Sequence, residues 1–336
     1  MPDLSGFTPL LYTLLVLAVA FDFINGFHDT ANAVATVIST RVLTPTRAIL
    51  MAAALNFVGA TLFTEVAKTI GSGIIGKEVP LLAVAAALIG AITWNLITWY
   101  LGIPSSSSHA LIGSLVGAGI AGSPLGFNTV NWNVLWQKVV LPLILSPVSG
   151  FVIALLLMKL LYAVFANMSP ARVGGFFRKA QIVSAAAVAF SHGGNDATKT
   201  MGIITLGLLS AHAIPTFSVP FWVILLSAAT MAAGTAAGGR RIIHTMGTRL
   251  THLEPIHGFA AETSAAIVIQ TATTLGFPLS TTHVISSTIL GVGAARRMNA
   301  IRWEVVRNMV RAWVLTIPVT ALLGFAAYQL LRPFFG

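Results

Sequence analysis

Apolar segments recur along the chain and are separated by short polar stretches. Most of them have about 20 residues or more, the length that an α-helix needs to cross a hydrocarbon core of ~30 Å. This pattern predicts an all-α polytopic membrane protein. The apolar segments lie at roughly 8–27, 45–67, 80–101, 134–164, 179–192, 219–238, 256–275 and 302–331.

Four shorter segments lie between them and are interrupted by Gly, Pro, Ser or Asn. They cover residues 29–40, 104–122, 195–212 and 280–295. Segments of this kind are typical of half-helices or re-entrant segments, which a membrane tolerates only where protein or a wet cavity surrounds them. Together with the longer segments, they predict about 10–12 membrane segments with broken or re-entrant helices.

Composition agrees with the apolar pattern. Hydrophobic residues make up 56% of the 336 residues and charged residues only 8%, whereas soluble domains carry about 25% charged residues. The net charge of +10 fits the excess of Lys and Arg in cytoplasmic loops of membrane proteins, so we expect no nucleic-acid partner. The chain has no cysteine, which excludes disulfides and thiolate chemistry.

Two polar motifs occur twice and in the same order. GFHDTANA at 26–33 corresponds to HGGNDATK at 192–199, with Asp196 placed 167 residues after Asp29. GIPSSSSH at 102–109 corresponds to GFPLSTTH at 276–283, with an offset of 174 residues. The repeat predicts a first half at 1–164, a cytoplasmic linker at 165–178 and a second half at 179–336, integrated into one membrane domain.

The basic residues indicate that the two halves have opposite orientation. The first-half loop 123–133 and the second-half loop 208–218 contain no Lys or Arg, whereas their counterparts in the other half are basic. Equivalent loops of opposite charge are expected of an inverted-topology repeat. We therefore expect both termini to lie outside the cytoplasm. Residues predicted inside are Arg41, Arg47, Arg172, Arg178, Lys179, Arg240, Arg241, Arg249, Arg296, Arg297 and Arg302; Lys68, Lys77 and Lys138 are exceptions, predicted outside.

The Ser- and Thr-rich motifs carry groups suited to an anion. Pro104 fits just ahead of a new helix, and the residues after it supply N-capping hydroxyls. Free N–H groups and the helix dipole favour an anion there. Alternatively, these hydroxyls bond helix carbonyls or allow close packing. The predicted substrate-binding residues of the two motifs are Ser105, Ser106, Ser107, Ser108, His109, Ser280, Thr281, Thr282 and His283.

The two aspartates require a positive partner, because a carboxylate repels a bound anion. Asp29 and Asp196 are therefore predicted to bind a proton, Na⁺ or a metal ion that travels with the anion. Compensating charge is needed, because moving one negative charge inward against 100 mV costs ~2.3 kcal/mol. Neighbouring polar side chains complete the predicted sites, with cation coupling assigned to Asn32, His28 and His192, and substrate binding to Asn25, Asn195 and Lys199.

Alternative roles stay open for four residues. Lys199 neutralises Asp196 or the substrate, or forms a structural ion pair. His28 and His192 relay protons, bind metal or donate hydrogen bonds. Glu262 lies within an apolar segment of the second half, and we predict a coupling-ion role for it over a buried structural contact.

Together the motifs FINGFHDTANAVATVIST, FSHGGNDATKTMG, GIPSSSSH and GFPLSTTH resemble the inorganic phosphate transporter (PiT) family, most closely its bacterial low-affinity members. The resemblance implies orthophosphate import across the bacterial inner membrane, inverted repeats, outside termini and a homodimer. It implies no tightly bound cofactor. The resemblance also implies co-transport of protons, and of Mg²⁺ or another divalent metal bound to phosphate. In other members of the family Na⁺ is the coupling ion. Na⁺-coupled relatives tend to carry a glutamate where this chain has Asn56, which favours protons.

Three alternatives stay open at this point. A sulfate permease would use the same donors for a tetrahedral anion, a Na⁺-coupled symporter would use the same carboxylates, and an anion channel would join both halves into a pore. An enzyme is not expected, because the polar residues come as matched pairs and a catalytic site needs no second copy.

Overall fold

The computed structural model describes residues 8–76, 79–238, 242–243, 245–246, 250, 252–296, 299 and 301–335. Within these ranges the chain forms ten long helices. They are α1 (Pro9–Ser39), α2 (Pro45–Leu62), α3 (Leu81–Leu101), α4 (Ser107–Gly122), α5 (Trp132–Val164), α6 (Pro170–Ser210), α7 (Phe221–Ala237), α8 (Pro255–Thr274), α9 (Thr281–Arg296) and α10 (Trp303–Phe335). Short helical turns at Glu65–Lys68, Thr69–Gly73 and Gly126–Thr129 lie in the connections.

Five of the described helices have the length and apolar composition of membrane spans. They are α1, α2, α3, α5 and α10, and α7 is apolar but only 17 residues long. The helices α6 and α8 carry the buried polar side chains that lower their hydropathy. This is a multi-pass, all-α membrane protein, as the sequence predicts.

The helix contacts repeat between the halves α1–α5 and α6–α10. Helix α4 packs on α10, and its counterpart α9 packs on α5. In the same way α1 packs on α7, while α6 packs on α2. Helices of each half therefore pack against helices of the other half.

The equivalent helices α1 and α6 run antiparallel. Asp22 near the middle of α1 contacts Thr200 near the end of α6, whereas Thr40 after the end of α1 contacts Gln181 near the start of α6. Two equivalent helices that run in opposite directions give the inverted topology of the repeat. The predicted fold class is confirmed.

Close helix crossings follow the same symmetry. A Cβ atom added to Gly234 of α7 would lie 2.2 Å from the carbonyl oxygen of Phe23 in α1. A Cβ atom added to Gly59 of α2 would lie 2.0 Å from the carbonyl oxygen of Phe190 in α6. Phe190 follows Phe23 by 167 residues, the spacing of the two aspartates. Small residues here let the backbones approach closely.

The prediction of breaks at 29–40 and 195–212 is wrong. Helix α1 is 31 residues long and runs through GFHDTANA without a break. Helix α6 is 41 residues long and runs through HGGNDATK in the same way. The two aspartates have hydrogen-bond partners on neighbouring helices, and the backbone stays helical through both motifs. By contrast, 104–122 and 280–295 do form short helices, α4 and α9, each of 16 residues.

The predicted linker is also shorter than expected. Helix α6 begins at Pro170, so residues 170–178 are helical and only 165–169 connect α5 to α6. Pro170 is favourable at the first helical position, and Gly174 and Gly175 have open space around them. Lys77, Arg240, Arg241, Arg249 and Arg297, used in the topology prediction, lie outside the described residues.

Candidate functional site

The N-termini of α4 and α9 meet in the interior. The hydroxyl of Ser106 accepts from the backbone N–H of His109, and that of Ser280 accepts from the N–H of His283, both at 3.2 Å. The His109 and His283 rings lie 4.7 Å apart between centroids. Each helix is about 24 Å long at 1.5 Å per residue, shorter than a ~30 Å hydrocarbon core. The predicted half-helices therefore bring their capped, positive ends together.

Asp29 of α1 is held at the tip of α4. Its Oδ2 atom accepts a hydrogen bond from Ser107 Oγ at 2.9 Å. Its Oδ1 atom lies 2.7 Å from His28 Nδ1, and His28 Nε2 lies 3.2 Å from Thr98 Oγ1. Ser105 donates to the same Thr98 hydroxyl at 2.8 Å. The carboxylate is thus joined to one half-helix hydroxyl and one imidazole.

Asp196 of α6 occupies the equivalent place at the tip of α9. Its Oδ2 atom accepts from Thr281 Oγ1 at 3.0 Å and lies 3.1 Å from His192 Nε2. Its Oδ1 atom accepts from the ammonium group of Lys199. Thr281 is the repeat counterpart of Ser107, so both carboxylates bind their own half-helix in the same way.

The next matched position in the two motifs differs in charge. Asn32 follows Asp29 by three residues, as Lys199 follows Asp196. Asn32 donates to Thr281 at 3.1 Å and to Thr282 at 3.0 Å, both on α9. Lys199 crosses in the opposite direction to α4 and donates to Ser108 Oγ at 2.5 Å. Each side chain therefore reaches the half-helix of the other repeat.

Three ligand atoms in this cluster are close enough to share one cation. Atoms of Asp29, His192 and Asp196 lie within 4.8 Å of one another. Two carboxylates and an imidazole suit a divalent ion such as Mn²⁺ or Zn²⁺ better than Mg²⁺, which favours oxygen ligands. The Lys199 ammonium on Asp196 opposes such an ion electrostatically.

The site is closed to solvent. Every side chain predicted to bind substrate or cation belongs to a residue no more than 4% exposed. Several polar atoms there lack a hydrogen-bond partner in the described structure, namely Asn25 Oδ1, Asn195 Oδ1, both ring nitrogens of His109, and Nε2 of His283. Since buried polar groups are normally paired, these atoms are available to a bound substrate, ion or water.

Glu262 lies apart from this cluster. Its carboxylate accepts from Thr36 and Ser184 hydroxyls at 2.5 Å each, and from Gln181 Nε2 at 3.0 Å. Thr36 is seven residues beyond Asp29 on α1, about 10 Å along the helix axis. The structure therefore does not bring Glu262 together with the two aspartates. It is buried with three neutral donors instead.

The sequence analysis missed the partners of Glu262 and His192. Gln181 and Ser184 have helical i, i+3 spacing on α6, a signal that could have placed them on one face. Asn56 Oδ1 lies 3.2 Å from His192 Nδ1, and Asn56 Nδ2 donates to Thr235 at 2.8 Å. No local pattern around Asn56 points to a histidine 136 positions later.

The model of the phosphate transporter family matches residues 25–172 and 165–324. The chain belongs to the phosphate transporter family. A probable low-affinity inorganic phosphate transporter of Rhizobium meliloti (strain 1021) is 50% identical over 323 residues, 95% of this chain and 96% of that protein. One from Bacillus subtilis (strain 168) is 46% identical over 97% of this chain and 99% of its own length.

A solved structure is similar to this phosphate transporter over nearly all its length. It is described as the sodium-dependent phosphate transporter, with 27% identity and a TM-score of 0.88 over 98% of this chain and 100% of that one. The predicted resemblance to the PiT family is confirmed. Since its relatives are named as transporters, the chain is an inorganic phosphate transporter and not an enzyme.

Proposed function

We propose that this phosphate transporter imports phosphate by proton-coupled secondary transport, with the anion bound between the tips of α4 and α9. The observation that supports this most strongly is the matched pair of half-helices, each joined through a hydroxyl to a buried aspartate. The N-termini offer hydroxyl and N–H donors to an anion. The aspartates hold the cations that travel with it.

The charge of the cluster requires such cations. Asp29 and Asp196 carry two negative charges and Lys199 one positive charge, so one negative charge remains before phosphate binds when both histidines are neutral. A divalent anion adds two more in a buried site, where an unpaired charge is expensive. Protons delivered to Asp29, to its partner His28 or to phosphate itself reduce this charge.

Asn56 favours protons over Na⁺ as the coupling ion. It is the neutral amide that contacts His192, and the family resemblance implies a glutamate at this position in Na⁺-coupled members. One carboxylate fewer leaves one negative ligand fewer for a hard cation. The structurally similar transporter is described as sodium-dependent, so coupling must be measured for this chain.

A metal–phosphate complex is a second candidate substrate. The cluster of Asp29, His192 and Asp196 supplies ligands for a divalent ion beside the anion donors. If the complex is transported, removal of free divalent ions stops phosphate uptake, and labelled Mg²⁺ or Mn²⁺ enters with phosphate. If phosphate enters alone, a chelator has no effect.

Sulfate is a poorer fit than phosphate, because phosphate near neutral pH keeps a proton that it can donate to Asp29 or Asp196 and sulfate does not. Excess sulfate is therefore expected to leave phosphate uptake unchanged.

The closed site favours a carrier over a channel. We further propose that the protein lies in the bacterial inner membrane, with both termini outside the cytoplasm and the connection at 165–169 on the cytoplasmic side. We also propose that it forms a homodimer.

The experiment is uptake of labelled phosphate into proteoliposomes with pH, Na⁺ and Mg²⁺ varied independently. We expect an inward proton gradient, at clamped voltage and without Na⁺, to accumulate phosphate above equilibrium. A Na⁺ gradient that drives accumulation where the proton gradient does not would disprove proton coupling. Uptake at fixed voltage that ignores both gradients would indicate a channel.

A further inference from the structure

Lys199 breaks the symmetry of the phosphate site. The offset of 167 residues that matches the aspartates also matches Lys199 with Asn32. Both side chains cross from the long helix of one repeat to the half-helix of the other, and their targets Ser108 and Thr282 are themselves repeat counterparts. The geometry is therefore shared, and the difference is one positive charge.

The surroundings of the Lys199 ammonium are those of a bound cation. Its three N–H donors face three oxygens, one each from the Asp196 carboxylate, the Ser108 hydroxyl and the Leu279 carbonyl, the last at 3.1 Å. Carboxylate, hydroxyl and carbonyl oxygens are also what hard metal cations bind. Lys199 is only 1% exposed, so it holds this place without solvent.

We infer that Lys199 is a built-in countercharge that occupies, in the second repeat, the position where a transported coupling cation would otherwise bind. The inference rests on the proposed function. In the first repeat the counterparts of the three oxygens belong to Asp29, Thr282 and Ser105, and the neutral Asn32 leaves that position to a mobile cation. The transporter thus binds one coupling cation fewer than its two aspartates suggest.

A fixed charge and a transported one differ in their effect on accumulation. Both reduce the electrostatic cost of burying phosphate. Only a transported cation adds the free energy of its own gradient to the movement of the anion, because Lys199 stays with the protein. Replacing Lys199 by the residue of the first repeat should therefore create a second coupled cation site.

The test compares the parent with Lys199→Asn in proteoliposomes at zero voltage, with a tenfold inward gradient of H⁺ and, in a separate measurement, of Na⁺. Each additional coupled cation can raise the equilibrium accumulation ratio by a factor of about ten under its own gradient. We expect Lys199→Asn to gain one such factor relative to the parent. Lys199→Arg keeps the charge and should behave like the parent.

Lys179→Asn is the matched control. It makes the same substitution on the same helix, at an exposed position about 30 Å from Lys199, and should leave uptake and its ion dependence unchanged. A folded Lys199→Asn protein that accumulates phosphate no further than the parent under either gradient overturns the inference. So does a parent that responds as strongly as the variant.

A second variant covers the case in which Lys199→Asn does not fold. Asn32→Lys places the fixed charge in the first repeat as well, so we expect it to exchange internal for external phosphate but to lose proton-driven accumulation. Parental accumulation by Asn32→Lys overturns the inference. If the parent itself follows Na⁺ and not protons, the proposed proton coupling fails, while the difference of one cation between parent and Lys199→Asn still tests the role of Lys199.

Discussion

Asp29, Asp196 and Glu262, three of the buried acids, have different hydrogen-bond and ion-pair partners. Asp29 contacts an imidazole and a hydroxyl. Asp196 contacts an imidazole, a hydroxyl and an ammonium group. Glu262 contacts two hydroxyls and an amide. The first two are at the half-helix tips, where we propose that the anion binds, whereas Glu262 joins α8 to α1 and α6.

Neutralising either aspartate should abolish phosphate accumulation. Asp29→Asn removes a cation ligand, and Asp196→Asn leaves the Lys199 ammonium buried without its carboxylate partner. We expect both proteins to insert into the membrane and to show less than about a tenth of parental accumulation in the proteoliposome assay, about 1.4 kcal/mol or more.

Glu304→Gln is the control for this pair, because Glu304 is an exposed acid on α10. It should accumulate phosphate like the parent. Parental accumulation by Asp29→Asn or Asp196→Asn would show that the cation site is assigned to the wrong residues.

Ser184→Ala should destabilise the protein without touching the half-helix tips. It removes a hydroxyl that donates to Glu262 Oε2 at 2.5 Å, and a buried carboxylate that loses a donor costs about 1–3 kcal/mol. We expect a lower unfolding temperature in detergent. Ser210→Ala on the same helix is the control, because the Ser210 hydroxyl has no partner in the described structure. Equal unfolding temperatures would contradict the role given to this bond.

At the scale of helices, the crossings at Gly59 and Gly234 hold the two repeats together. Gly59→Ala and Gly234→Ala would each place a methyl group within 2.2 Å of a backbone carbonyl oxygen. Overpacking of this kind costs about 1–3 kcal/mol, so both variants should unfold at lower temperature. Gly174→Ala, in open space on α6, should be neutral or slightly stabilising. A stable Gly59→Ala protein would contradict the close crossing.

The sequence predicted the short helices better than the long ones. Pro104 and the serines after it mark the start of α4 locally, so its half-helix was predictable. The continuity of α1 through Asp29 was not, because it depends on partners such as Ser107, which is 78 residues away. A polar motif inside an apolar segment has the same local pattern whether its helix ends or continues.

The residues of the candidate site could be grouped from the sequence, but their geometry could not be predicted from it. The repeat placed Asp29, Asp196 and both Ser/Thr motifs together, and their contacts agree with it. It did not separate Glu262 from them, because the distance between α8 and the half-helix tips depends on how the helices pack. Applying the same offset to Asn32 would have paired it with Lys199, a comparison that the motifs alone allowed.

At the scale of the whole molecule, inverted topology predicts opposite sidedness for equivalent loops. Val42 follows α1 and Ala213 follows α6, with Arg41 and His212 beside them in matching left-handed conformations (φ 57° and 55°). The chain has no cysteine, so a single introduced cysteine is the only thiol of this protein that carries label when it is purified from the labelled cells. In intact cells, an impermeant maleimide should label Ala213→Cys and leave Val42→Cys unlabelled until the membrane is opened. Labelling of both from one side would contradict the inversion.

The most direct test of phosphate binding between the two half-helix tips is equilibrium binding of labelled phosphate to purified protein. We predict that the double variant Ser107→Ala/Thr281→Val binds phosphate about 100-fold more weakly than the parent, because it loses the two hydrogen bonds that hold the Asp29 and Asp196 carboxylates at the half-helix tips, at about 1.5 kcal/mol each. Ser72→Ala/Thr274→Val, at two exposed positions, should bind like the parent. Parental affinity in the Ser107/Thr281 variant would contradict phosphate binding between the tips of α4 and α9.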